Sequence, residues 1–114
     1  MGGSFETSES HSNASLQPLR LPSLQDGIYS AAKEMVEDLS AWSLESADDE
    51  ARTLICKRAG GLLSGESTVT ITVTGPEGMP STTVNCKSVS DGGLFSRDKK
   101  NVLEFMVPFH RRVC

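Results

Sequence analysis

His110, followed by Arg111 and Arg112, and the distant Cys86 are the residue types from which an activated nucleophile is built, because a thiolate is favoured beside cationic groups. The two positions belong to separate predicted elements, and no spacing brings them together. An exposed terminal histidine and a buried strand cysteine account for both. Arg97, Lys99, Lys100, His110, Arg111 and Arg112 form a second suggestive group, able to hold phosphate or an acidic head group by charge-assisted hydrogen bonds. Nucleic-acid binders interleave such charges with exposed aromatics, whereas Phe95, Phe105 and Phe109 read as core residues. A solvated helix face that offsets an acidic first helix is the plainer account. Asp48, Asp49 and Glu50 could bind a divalent cation or do acid-base work only with further converging groups, and none is close in sequence. They read as turn residues.

Other chemistry finds less support. Cys56, Cys86 and Cys114 lie far apart with no C-x-x-C pair, which argues against a zinc site or a disulfide scaffold and for a reducing, cytoplasmic compartment. Gly60-Gly61-Leu62-Leu63-Ser64-Gly65 lacks the spacing of a phosphate-cradling loop, and no serine sits in a G-x-S-x-G elbow. No metal site, cofactor or catalytic residue is assigned. Met1-Gly2-Gly3-Ser4-Phe5-Glu6 misses the myristoylation pattern at Glu6, and no apolar run approaches a bilayer span of about 20 residues.

The elements that must position these residues follow from periodicity. Residues 67–90, STVTITVTGPEGMPSTTVNCKSVS, alternate apolar and polar side chains on both sides of a Gly/Pro turn, which predicts a β-hairpin with Val69, Ile71 and Val73 on one buried face. Thr70, Thr72, Thr83, Asn85 and Lys87 are left on the other face. Two shorter strands are expected at 42–46, beginning with Trp42, and at 52–58, with the polar residues 47–50 between them. Ile28, Ala32, Met35 and Leu39 recur at helical spacing, so a helix is expected over 24–40, capped by Ser23 and answered by Asp26. A last helix is expected over 97–107, capped by Ser96, with a bent continuation or a fifth strand after Pro108.

Charge divides the 114 residues unevenly: positions 1–50 carry ten acids and two bases, while 51–114 carry five acids and nine bases. An anionic partner for the basic half is permitted, and so is folding of one half against the other. Residues 1–22 are rich in Ser, Gly, Glu and Asn, which points to a disordered tail ahead of a single domain over 23–114.

The run Thr83-Val84-Asn85-Cys86-Lys87-Ser88-Val89-Ser90, then Gly92-Gly93-Leu94-Phe95 and Asp98-Lys99-Lys100-Asn101-Val102, resembles the end of a small family, domain of unknown function fourteen-ninety-nine. That family has a strand ending in Ser-x-Ser, a glycine turn and an Asp/Asn/Arg-bearing start to its last helix, where this chain has Lys99-Lys100-Asn101 in place of a glycine and arginines. The element order is also similar to the kinase-associated lipid-binding module, which implies contact of the basic residues with acidic phospholipid.

These readings converge on an α+β fold: a two-layer sandwich in which a four-stranded antiparallel meander carries an N-terminal and a C-terminal helix on one face. The function they favour is a non-enzymatic binding or protein-interaction module. Two alternatives stand beside it. One is anionic-lipid or nucleic-acid binding through the basic C-terminal segment. The other is a small-molecule carrier or enzyme with a helix–sheet cavity lined by Trp42, Cys56, Cys86 and His110.

Overall fold

The computed structural model describes residues 3–60, 66–90 and 97–113. Its backbone runs β1 (Gly3–Glu6), a 3-10 turn (Ala14–Leu16), β2 (Leu19–Leu21), α1 (Gln25–Asp38), β3 (Trp42–Asp48), β4 (Thr53–Arg58), β5 (Ser67–Thr74), β6 (Thr82–Ser90) and α2 (Asp98–Val113). The predicted hairpin forms β5 and β6, in register from Ser67 opposite Ser90 to Thr74 opposite Thr83. Val69, Ile71 and Val73 all point into the core, under both helices.

Among the described residues the four-stranded meander is corrected to an antiparallel sheet of six strands, ordered β1-β6-β5-β4-β3 with β2 also on β6. Both added strands come from the segment expected to be a disordered tail. β6 is nine residues long, and its second edge would otherwise leave a row of unpaired N–H and C=O groups. Gly3–Glu6 covers one part of that edge and Leu19–Leu21 the other. The segment's average composition is polar, but Leu16 and Leu21 enter the core and Phe5 and Leu19 pack against it. A few well-placed apolar residues and a free edge outweigh the polarity of the rest.

α1 buries Ile28, Tyr29, Ala32, Met35 and Val36, the stripe that helical periodicity requires. Its start differs from expectation. Leu24 is the N-cap residue and makes no side-chain capping bond, while the Ser23 carbonyl oxygen accepts from Thr82 Oγ1 at 2.5 Å. The expected capping box therefore does not form: the N-cap falls one residue later, on Leu24, and Ser23 is held by β6 instead.

α2 is one helix through Pro108 to Val113, neither ending near 107 nor giving way to a strand. Proline removes a single N–H donor to Glu104, whereas the turn beyond it buries Phe109, stacked on Phe105 with ring centroids 4.9 Å apart. Burying that ring outweighs one lost backbone bond. The Gly92-Gly93 turn, the cap expected at Ser96, the connector 61–65 and Cys114 lie outside the described residues.

β3 continues to Asp48, with a bulge between Leu44 and Ser46, and the turn to β4 falls at 49–52. Asp48 accepts the Ala51 amide at 3.1 Å, which is turn chemistry. Asp49 accepts from the Tyr29 hydroxyl at 2.7 Å and lies 3.5 Å from Lys33. The Tyr29 bond and the Lys33 charge lower the Asp49 carboxyl below its ordinary range, while burial, then Asp49 itself, pushes Tyr29 up to about 12. The acidic turn anchors α1 to the β3–β4 end of the sheet.

Candidate functional site

Three segments far apart in sequence meet at one end of the molecule. The start of α1 (Ser23 to Ile28), Arg52 of the β3–β4 turn, and Glu77 and Gly78 of the β5–β6 turn line a cleft of about 560 Å3 with mainly apolar walls. Leu24 stands 53% exposed there, unusual for a large apolar side chain and for a helix N-cap, where Ser, Thr, Asp or Asn would satisfy a free N–H.

Arg52 is the cleft's charged wall. Its φ of +49° puts a non-glycine residue in the left-handed region, at a cost of about 1 kcal/mol. Both ends of the residue are fastened. Its carbonyl accepts the Val73 amide at 3.0 Å, and its Nε donates to Asp26 Oδ1 at 2.7 Å. Nη1 and Nη2 fork onto Glu77 Oε2 and Oε1 at 3.3 and 3.1 Å. These bonds, Glu77's first, raise the guanidinium pKa still further above its ordinary value.

The β5–β6 turn is set against α1 by Gln25, whose buried amide donates to the carbonyls of Met79 at 3.0 Å and Ser81 at 2.7 Å. A side chain at Gly75 would collide with the Ser81 carbonyl and the Gln25 amide, and Gly78 holds a φ of +76° that only glycine adopts freely. The base of the cleft is therefore rigid, with exposed carboxylates and Leu24 at its mouth.

A polar cluster lies at the N-terminal end of α2. The inward positions of β6 are apolar at Val84 and Cys86 but become Ser88 and Ser90, where α2 presents Asp98 and Asn101. Ser88 Oγ and Ser90 Oγ donate to Asp98 Oδ1 at 2.7 and 2.6 Å. Since Ser88 has spent its one proton, the 3.1 Å contact from Asn101 is a donation from Nδ2, which leaves the fully buried Oδ1 without a partner. Ser67 and Ser90 hydroxyls lie 3.4 Å apart at the margin of the cluster. These are the Ser-x-Ser and Asp/Asn positions that carried the family resemblance, and the fold uses them to fasten α2 to β6. Periodicity alone contained the signal: polar residues at inward strand positions, matched by polar residues on the buried stripe of a helix.

Glu104 gathers a third network. It accepts the Trp42 indole N–H and receives Arg58 through Nε and Nη2, both at 3.1 Å, with Arg97 Nη2 at 3.6 Å. Burial works to raise its pKa, but the Arg58 bonds, the Trp42 bond and the charges of Arg58 and Arg97 prevail and lower it. A carboxylate depressed in the folded state contributes stability above its unfolded pKa of about 4.3, lost as pH falls through the folded value. Glu104→Gln is expected to flatten the fall of unfolding free energy between about pH 5 and pH 3, read by urea denaturation across that range. An unchanged slope would show that the network does not bias Glu104.

The basic residues do not form one patch. Arg97 faces Glu104, and Arg112 donates to Asp38 at 2.8 Å. Lys99 and Lys100 are exposed at one end of α2 and His110 and Arg111 at the other, with about 18 Å of helical rise between Lys99 and Arg111. His110 and Arg111 share a groove of about 340 Å3 with Ser15 and Val107. Trp42, Cys56 and Cys86 are all members of the packed core. Burial pushes the Cys56 thiol up to about 12 and raises that of Cys86 as well, which favours the neutral thiol at both. Thr70, Thr72, Asn85 and Lys87 do share a shallow depression of about 270 Å3 on the outer sheet face, with Glu6. Among the described residues no group of three or more His, Cys, Asp or Glu could hold a metal ion, and no helix is long and apolar enough to cross a membrane.

The cleft itself escaped the sequence reading. Its one local sign was an apolar residue between Ser23 and the first helical turn.

No family model matches the chain, and no curated protein matches it. Among solved structures it is similar to a point mutant of Thalictrum flavum norcoclaurine synthase determined in complex with a transition-state analogue. The two share 11% sequence identity over 98% of this chain and 96% of that one, with a TM-score of 0.58. At that identity the likeness is one of fold alone: an antiparallel sheet with two helices, an α+β architecture.

Proposed function

We propose that the protein is a non-enzymatic binding module whose site is the cleft between the start of α1 and the β3–β4 and β5–β6 turns, and that it takes a small amphipathic molecule. The likeness in fold to a protein determined in complex with a transition-state analogue supports a binding module. The observation that carries the reading is Leu24. It occupies an N-cap where a short polar side chain would add about 1 kcal/mol, and it exposes apolar surface to water over a cleft of ligand size. Local stability is forgone at both Leu24 and Arg52, and the two meet in one place.

Leu24→Ser tests this because stability and binding should move in opposite directions. The serine supplies the missing cap and is expected to raise unfolding free energy by about 1 kcal/mol. It also removes the apolar wall and should weaken 1-octanol by about fivefold, followed by amide shifts at residues 24–28, 52, 77 and 78. Equal binding by both forms, or octanol shifts scattered away from these residues, would contradict the site.

A second reading, contact with a protein partner through the outer sheet face, draws on Ile55 and Val89. Both are exposed apolar residues among the threonines of that face.

A further inference from the structure

The cleft already contains a clue to the polar end of its ligand. Arg52 is bound in a two-pronged fork by a carboxylate, and that carboxylate belongs to Glu77, a turn residue whose side chain is 80% exposed. The Arg52 side chain as a whole is only 16% exposed, and its Nε is held by Asp26, which fixes the plane of the guanidinium. Planar donors in a fixed orientation match a carboxylate in two-point contact. Glu77 comes from a solvent-exposed turn and its contact is screened by water, so it is readily replaced by another carboxylate. Beside the fork lies the apolar wall formed with Leu24 and Ile28.

We infer that the cleft selects amphipathic carboxylates: the ligand's carboxylate takes the place of Glu77 on Arg52, its apolar body lies against Leu24, and Glu77 acts as a built-in competitor that swings into solvent. The inference rests on the cleft being a binding site. It adds the head group and the residue that regulates access to it. Displacement exchanges the two hydrogen bonds to one carboxylate for two to another on a guanidinium that stays protonated, so no covalent bond is made or broken. The Asp26 contact is retained, and the ligand's negative charge replaces that of Glu77.

The experiment titrates the full chain with octanoate, 1-octanol and octylamine at low salt, following amide shifts at residues 24–28, 52, 77 and 78. Octanoate is expected to bind about tenfold more tightly than octanol. Glu77→Gln is expected to tighten octanoate by about two- to fivefold relative to octanol measured on the same variant. Arg52→Gln, with folding checked by circular dichroism, should bring octanoate to the level of octanol. Equal affinity for octanoate and octanol, tighter octylamine, or indifference to Glu77→Gln would each overturn the carboxylate inference while leaving the cleft as a site. Silence from all three compounds would sink the cleft with it.

Discussion

Phe105→Ala is expected to destabilise the fold by about 3–5 kcal/mol, enough to leave a domain of this size marginal or unfolded. Phe105 is fully buried on the inward stripe of α2, stacked on Phe109 and 6.1 Å from the Trp42 ring. Those three rings tie the C-terminal helix to the sheet face and to β3. Removing one forfeits the transfer free energy of the ring and opens a cavity that neighbours held by β-sheet pairing cannot fill. Phe105→Leu, which keeps most of the volume, should cost about 1.5 kcal/mol or less. Urea denaturation followed by circular dichroism measures both. A loss under about 2 kcal/mol for the alanine variant would mean that α2 does not pack as described.

Asp98→Ala is the second large effect, about 2–5 kcal/mol, and it arises from hydrogen bonding rather than volume. Asp98 is 1% exposed and accepts from two buried serines, so its loss leaves the hydroxyls of Ser88 and Ser90 without that acceptor away from water. Each stranded group costs about 1–3 kcal/mol. The donation from Asn101 to Ser88 loses its orientation as well, because Ser88 is free to turn its proton elsewhere. Asp98→Asn retains an oxygen where Oδ1 lies and should cost less than half as much. If alanine and asparagine variants melted together, the serine contacts would not be what holds Asp98 in place.

How much of this was visible in the chain depended on the range over which residues cooperate. The β5–β6 hairpin and the inward face of α1 follow from alternation and helical spacing within a dozen residues, and both were legible. β1 and β2 were not, since each is a strand only because β6 offers it an edge some 60 or more residues later in the chain. Pro108 misled for a related reason: its local cost is fixed, but the burial of Phe109 that outweighs it is decided by the sheet opposite. The serine–aspartate–asparagine cluster had a readable pattern, although its meaning required knowing that β6 and α2 face each other at those residues. Of the cleft, only Leu24 left a mark. Arg52 reads as the first residue of a strand and Glu77 as an ordinary turn residue until the fold brings them within 3.1 Å.

The most direct test of the cleft as the binding site is isotope-filtered NOE spectroscopy on the labelled protein with 1-octanol at saturating concentration. The alkyl chain should show contacts to the methyl groups of Leu24 and Ile28. Contacts instead to Val69, Ile71 or Phe105 would place the ligand between helix and sheet, and contradict the site assigned to it.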